Sequence, residues 1–175
     1  MQKPKILVID DELSILKSIK RVLRNTDCEL EIMLDPVKAQ SLIEDEKFDI
    51  ILTDYHMPKL DGVSILTRCK HLHPESMRIL MSGKADFDTL SDAINEAGIY
   101  RFIAKPFDNY ELLFALDQAI ENKALHDENT RLAKIINEQK SKLSKQKEEL
   151  KLFEKLEPGL TKVKRAKDGS IILSQ

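Results

Sequence analysis

The sequence predicts an α/β protein whose first 120 residues fold as a doubly wound parallel sheet of five strands, with helices on both faces. Three observations carry that expectation. Five short apolar runs recur through this region, separated by segments whose apolar residues repeat at helical spacing. The runs Ile6–Ile9 and Ile50–Leu52 lack polar alternation, as strands buried on both faces should. Each run also stops at a polar residue, and parallel strands bring their carboxyl ends to one edge, where such residues converge on a common crevice.

Taken in order, the strands are expected near Lys5–Ile9, Glu29–Leu34, Phe48–Thr53, Arg78–Met81 and Tyr100–Ala104. Between them, Ile15, Ile19, Val22 and Leu23 mark a first helix, and Val37, Leu42 and Ile43 a second. Val63, Ile65 and Leu66 mark a third, and Leu90, Ala93, Ile94 and Ala97 a fourth. The punctuation agrees: Asp35-Pro36 opens the second helix as an N-cap with proline at N1, and Asp61-Gly62 opens the third. Gly98 follows the fourth.

From Asp108 the pattern changes. Asp108-Asn109-Tyr110-Glu111 reads as a capping box, and no glycine or proline follows until Pro158-Gly159. A single helix over that stretch would be roughly 70 Å long at about 1.5 Å per residue. Only its first turns, through Leu112, Leu113, Leu116 and Ile120, can pack on the sheet. The rest carries a heptad seam. Leu125, Leu132, Gln139, Gln146 and Phe153 fall at one position, and Asn129, Ile136, Leu143 and Leu150 at the other. This predicts a parallel coiled-coil dimer, in which Asn129 sets the register and Gln139 and Gln146 weaken the seam. A solvated single helix held by Glu–Lys pairs is the alternative. The expected domains are therefore 1–122, a helical extension 123–157, and a basic tail 158–175. In the tail, Lys167-Asp168-Gly169 between β-prone runs signals a hairpin.

Composition narrows the function classes. Residues 1–120 carry 15 basic and 21 acidic side chains, residues 121–157 carry 9 and 8, and residues 158–175 carry 4 and 1. A helix that reads DNA needs a basic run with few acids, so the balanced extension argues against nucleic acid. No stretch approaches the roughly 18 apolar residues of a membrane span, and the acidic Asp10-Asp11-Glu12 interrupts any secretory signal. A soluble, cytoplasmic protein without a membrane partner is expected. Cys28 and Cys69 are too few and too far apart for a disulfide framework and read as buried thiols. His71-x-His73, near a helix end, reads as a solvated turn.

The chemistry lies at the strand ends: Asp10 and Asp11 after the first run, Asp54 after the third, Ser82 after the fourth, and Lys105-Pro106 after the fifth. Crowded carboxylates repel one another, and a hard divalent cation such as Mg²⁺ (or Mn²⁺) removes that penalty. An aspartate beside such a cation can attack phosphorus to give an acyl phosphate. Lys105 supplies positive charge to a phosphoryl oxygen, and Ser82 a hydrogen bond to another. Single residues of this kind serve equally as helix caps and turns. Their recurrence at four of the five strand ends, with an Asp-Asp pair and a Lys-Pro, is what caps do not require.

These residues resemble the receiver domain of bacterial two-component response regulators. The resemblance rests on Ile9-Asp10-Asp11-Glu12, Asp54-Tyr55-His56-Met57-Pro58 with Asp61-Gly62, Met81-Ser82-Gly83, and Phe102-Ile103-Ala104-Lys105-Pro106-Phe107, and covers about residues 4 to 122. It implies a flavodoxin-like (βα)5 fold with strand order 2-1-3-4-5. It implies Asp54 as acceptor of a phosphoryl group from a sensor histidine kinase or phosphotransfer protein. Asp11, Asp54 and the His56 carbonyl would hold Mg²⁺, with Asp10 reaching it through water. Ser82 and Phe102 would be the switch pair, Lys105 the phosphate-binding lysine, and His56 and Lys84 the positions that tune acyl-phosphate lifetime. The Lys105–Pro106 peptide would be cis. Such receivers signal by conformational change rather than turnover. Residues Ser82 to Phe102 are similar to receivers that precede a long helix in cyclic-di-GMP phosphodiesterase and hydrogenase-type regulators.

Three readings compete with a free-standing receiver. The chain is the N-terminal part of a larger regulator with a DNA-binding or phosphodiesterase module, or a basic-zipper DNA binder, or an Mg²⁺-dependent phosphohydrolase. The last needs a second aspartate just after its nucleophile, but Asp54 is followed by Tyr55-His56, and position 13 is Leu13.

Overall fold

The computed structural model describes residues 3–83 and 97–156. In chain order its elements are β1 (Lys5–Ile9), α1 (Leu13–Val22), a 3-10 turn (Leu23–Asn25), β2 (Glu29–Met33), α2 (Pro36–Asp45), β3 (Ile50–Asp54), α3 (Gly62–Leu72), β4 (Met77–Gly83), β5 (Arg101–Lys105) and α4 (Asn109–Leu156). The strands form one parallel sheet in the order β2-β1-β3-β4-β5, a flavodoxin-like arrangement with a long C-terminal helix. The expected fourth helical segment (except Ala97), Lys84 and the tail with its hairpin lie outside the described residues.

Local chemistry sets the element ends. The Asp35 carboxylate accepts from the Val37 amide with Pro36 in the first turn, and Asp61 accepts from both the amide and the hydroxyl of Ser64. Asp108 accepts from the Glu111 amide at 2.7 Å, so the long helix starts at the anticipated acidic cap. Gly98 has φ +61°, a conformation that a Cβ would disfavour.

Alternation along each strand divides the core in two. Ile6, Val8, Ile50, Leu52, Ile79, Met81 and Ile103 face Leu16 and Ile19 of α1 and Leu112, Ala115, Leu116 and Ala119 of α4. Leu7, Ile9, Ile51 and Leu80 face Ala39 and Ile43 of α2 and Ile65, Leu66 and Cys69 of α3. All five residues of β3 are buried, since this central strand is covered on both sides.

The chain separates into two compact units between Asp127 and Glu128. In the second unit, Leu132, Ile136, Leu143, Leu150 and Phe153 are exposed in the single chain, and Arg131 pairs with Glu128 one turn away. Cys69 is buried and Cys28 half-buried; both are free thiols. Among the described residues, no helix is long and apolar enough to cross a membrane.

Candidate functional site

The parity that sorts the core also sorts the polar residues at the carboxyl edge. Position 10 follows Ile6 and Val8, position 54 follows Ile50 and Leu52, and position 105 follows Ile103, all on the face covered by α1 and α4. Asp10, Asp54 and Lys105 are thus delivered to one side of the edge. Ser82 follows Leu80, and Phe102 packs with the opposite cluster, so those two positions share the other side. Paired registers bring the strands level there: Asp54 lies opposite Met81, and Ser82 opposite Ala104.

At the centre, the Lys105 ammonium lies 2.8 Å from Asp10 Oδ2 and 2.6 Å from Asp54 Oδ1. Asp10 is fully buried, and its second oxygen accepts from the Glu12 amide at 2.8 Å, replacing the side-chain cap that Glu12 does not provide for α1. Asp54 is 6% exposed. Burial pushes its carboxyl above the ordinary aspartate value. Lys105 opposes that rise, and the charges of Asp10 and Asp11 reinforce it. Burial pulls Lys105 down, but the hydrogen bonds to Asp10 and Asp54 outweigh it and hold the ammonium above its usual value. One cation shared between two buried carboxylates secures its own charge while only partly compensating Asp54.

The backbone of Asp54 is fixed from three directions. The Thr53 hydroxyl donates to the Asp54 carbonyl at 3.1 Å, and the Tyr55 amide donates to Met81 O at 2.8 Å. Gly62 donates its amide to Tyr55 O at 3.0 Å. A Cβ built on Gly62 would lie 2.1 Å from the Asp54 carbonyl oxygen, so the start of α3 rests directly against the backbone that carries this carboxylate. Sequence reasoning treated Gly62 as part of a helix start and missed this contact, which depends on two strand-to-helix turns meeting in space.

Asp11 is exposed at the rim and lines a cavity of about 240 Å³ with Leu34, Asp35, Pro36, Pro58 and Lys59. Lys59 has φ +73°, a left-handed conformation that a non-glycine residue adopts at some cost. His56 is exposed, its ring 4.3 Å from that of Tyr55. Ser82 is buried and Phe102 partly buried, and the Lys105–Pro106 peptide is cis. His73 Nε2 lies 2.8 Å from the Ile43 carbonyl oxygen, so that ring packs between helices instead of standing in a solvated turn.

The donor chemistry suits a hard cation. Asp54 and Asp11 offer oxygen, and the charge of Asp11 adds to the cost of ionising Asp54. No group of three or more acidic, histidine or cysteine side chains gathered for a metal occurs among the described residues. Asp10 is instead committed to Lys105 and the Glu12 amide. A cation here would rest on few side chains and need backbone or water oxygens.

Two outcomes follow. Gly62→Ala should destabilise the chain by about 1–3 kcal/mol, because the Asp54 carbonyl or α3 must move. Urea denaturation reads this, and an unchanged midpoint would show that α3 can back away freely. The raised Asp54 value means that the folded state holds this proton more tightly than the unfolded state, so ionisation destabilises the fold as pH rises above the ordinary aspartate range. In metal-free buffer, Asp54→Asn should therefore raise the thermal midpoint at pH 7. That gain should shrink as pH falls toward 4; a lower midpoint at neutral pH would contradict this account.

Residues 6–117 match the response regulator receiver domain family. The hydrogenase transcriptional regulatory protein HoxA of Bradyrhizobium diazoefficiens is 36% identical over 123 residues, covering 70% of this chain and 25% of HoxA. The DNA-binding transcriptional regulator NtrC of Proteus hauseri is 32% identical over 69% of this chain and 25% of its own. The chain thus spans about a quarter of the length of these relatives. The crystal structure of a signal receiver domain from an HD domain-containing protein of Pseudomonas fluorescens superposes with a TM-score of 0.66 at 34% identity, covering 70% of this chain and 98% of that one. With a family match over most of its first 120 residues and the strand order described above, this chain belongs to the response regulator receiver family.

Proposed function

We propose that the chain accepts a phosphoryl group on Asp54 from a sensor histidine kinase or phosphotransfer protein, and signals through a conformational switch and protein contacts. The observation that carries this reading is the Lys105 ammonium within hydrogen-bond distance of both Asp10 and Asp54, with Asp11 at the rim. Mg²⁺ or Mn²⁺, held by Asp11, Asp54 and the His56 carbonyl with Asp10 through water, would neutralise charge on the entering phosphoryl group. An Asp54 oxygen forms the new O–P bond as the donor's P–N bond breaks, and the donor imidazole leaves with the electron pair. Lys105 then exchanges part of its contact with Asp54 for a phosphoryl oxygen, and Ser82 donates to another.

This is a stoichiometric acceptor rather than a turnover enzyme, with His56 and Lys84 tuning how long the acyl phosphate persists. Phe102 lies on the same side of the edge as Ser82, so the hydroxyl's movement toward the phosphoryl group opens space for the ring to turn. Residues 1–122 act as the receiver, 123–157 pair as a parallel coiled coil through Leu125, Asn129, Leu132, Ile136, Leu143, Leu150 and Phe153, and 158–175 form a basic tail. The exposure of these apolar side chains in the single chain supports pairing with a second copy. A second reading makes the chain the receiver part of a longer regulator with a DNA-binding or cyclic-di-GMP phosphodiesterase module. The quarter coverage of HoxA, a hydrogenase transcriptional regulatory protein, and of NtrC, a DNA-binding transcriptional regulator, favours it.

A small phosphodonor with Mg²⁺ should label the chain once, and Asp54→Asn or chelation of the metal should abolish labelling; label persisting on the variant would remove Asp54 as acceptor. Sedimentation should give a dimer, and Leu143→Lys should convert it to monomer while the labelling rate stays within about twofold, since the charge enters only the seam. A wild-type monomer at high micromolar concentration would overturn the coiled coil.

A further inference from the structure

One buried charge has no part in the phosphoryl chemistry. Lys123, in α4, is 5% exposed, although its neighbours along the helix make it look like one of many solvated lysines. Its ammonium lies 3.5 Å from Asp49 Oδ1 and hydrogen-bonds Asp127 Oδ2 one turn further on. Asp49 immediately precedes β3, and three hydrogen bonds fix it. Its amide donates to Lys5 O, its Oδ2 accepts from the Lys5 amide, and its carbonyl accepts from the Met77 amide, each at 2.8 Å. The carboxylate facing Lys123 is therefore held by β1, and its backbone by β1 and β4.

The preceding residue of the helix grips a different strand. Asn122 Nδ2 donates to the Tyr100 hydroxyl at 2.7 Å, and Tyr100 stands just before β5. Two consecutive helical residues thus engage the amino-terminal ends of β3 and β5, the edge of the sheet opposite Lys105. A methionine at position 123 would fill the same volume without an ammionium to desolvate, and buried ion pairs often add little net stability. What such a pair does supply is discrimination: turning the helix by one residue, about 100°, would leave a buried ammonium without Asp49.

We propose that Lys123 is a register latch that fixes the rotation and axial position of α4 against the start of β3. The latch sets the phase of the helix two residues before Leu125, where the heptad pattern begins. β3 then carries the latch at one end and Asp54 at the other. Its consequence for pairing rests on the coiled-coil reading, whereas the latch itself does not.

Amide hydrogen exchange on the full chain, read by mass spectrometry, tests this with Asp49→Asn, Lys123→Met and the double variant. Asparagine can still accept from the Lys5 amide, so Asp49→Asn removes the charge facing Lys123 without removing that strand contact. Exchange of amides 119–127 should rise at least tenfold in Asp49→Asn, while the amides of β1 and β3 keep their protection. The double variant, with no ammonium left to strand, should return toward wild-type protection. Unchanged exchange in Asp49→Asn would overturn the latch, as would a double variant that exchanges as fast as Asp49→Asn. If Asp49→Asn loosens the whole sheet, the other two variants decide: Lys123→Met strands no ammonium and should keep near wild-type exchange of 119–127, and exchange there as fast as in Asp49→Asn would also overturn the latch. Sedimentation of the same samples reads the coiled coil separately, because a monomeric wild type with the expected exchange pattern would remove the pairing consequence and keep the latch.

Discussion

The carboxyl edge of the sheet depends on one ammonium serving two buried carboxylates. Lys105 reaches Asp10 and Asp54 together, and among the described residues it is the basic side chain that pairs with either carboxylate. Asp10 has the better settlement, with its second oxygen on the Glu12 amide. Asp54 is left as the more costly charge, and burial raises its proton affinity. A carboxylate in that condition gains from any cation that approaches. On the proposed reading it would also gain from conversion to an acyl phosphate, a mixed anhydride whose negative charge sits further from the core, so destabilisation and reactivity would arise from the same burial.

That arrangement needs a rigid frame, because a shift of about 1 Å would carry one of the two Lys105 contacts out of hydrogen-bond range. The frame is β3. All of its residues are buried, β1 and β4 hydrogen-bond to it on either side, and α3 touches the Asp54 carbonyl through Gly62. At its start, Asp49 ties it to β1 and β4 and meets Lys123. The central strand is consequently ionic at both ends, and both lysines come from the last third of the compact unit that ends at Asp127. Closing these pairs requires β5 and α4 to be in place, which makes the C-terminal part of the unit a condition for the geometry at Asp54.

Much of this was legible in the amino-acid sequence. The five strands and their order follow from apolar runs and family motifs, and the caps at Asp35, Asp61 and Asp108 follow from local composition. Asp10, Asp54 and Lys105 were legible because parallel strands bring the residues at their carboxyl ends to one edge, and their motifs match those of the family. The residues that escaped share a different property, since their roles come from contacts remote in sequence. Lys123 meets an acid 74 positions earlier (123 − 49). In a Lys/Glu-rich helix nothing local distinguishes it from its solvated neighbours. Gly62 looks like a helix start and gives no local sign of the carbonyl beside it. The His73 ring likewise reaches Ile43 O on another helix, a contact that its spacing from His71 does not reveal.

The two sides of the carboxyl edge have different physical demands, and strand alternation meets both without extra machinery. The side shared by Asp10, Asp54 and Lys105 must hold charges at fixed distances, so it is built on the face packed by α1 and the first turns of α4. The side shared by Ser82 and Phe102 is less tightly closed, since Phe102 there is only partly buried, and the proposed switch would draw on that room. Because Asp54 and Ser82 lie on adjacent strands with Asp54 level with Met81, a charge added on one side is felt at once on the other. On the proposed phosphoacceptor reading, this strand pair is what would stand between the charged pocket and the partly buried Phe102 ring, so a change at Asp54 would reach the opposite face through neighbouring residues of β3 and β4.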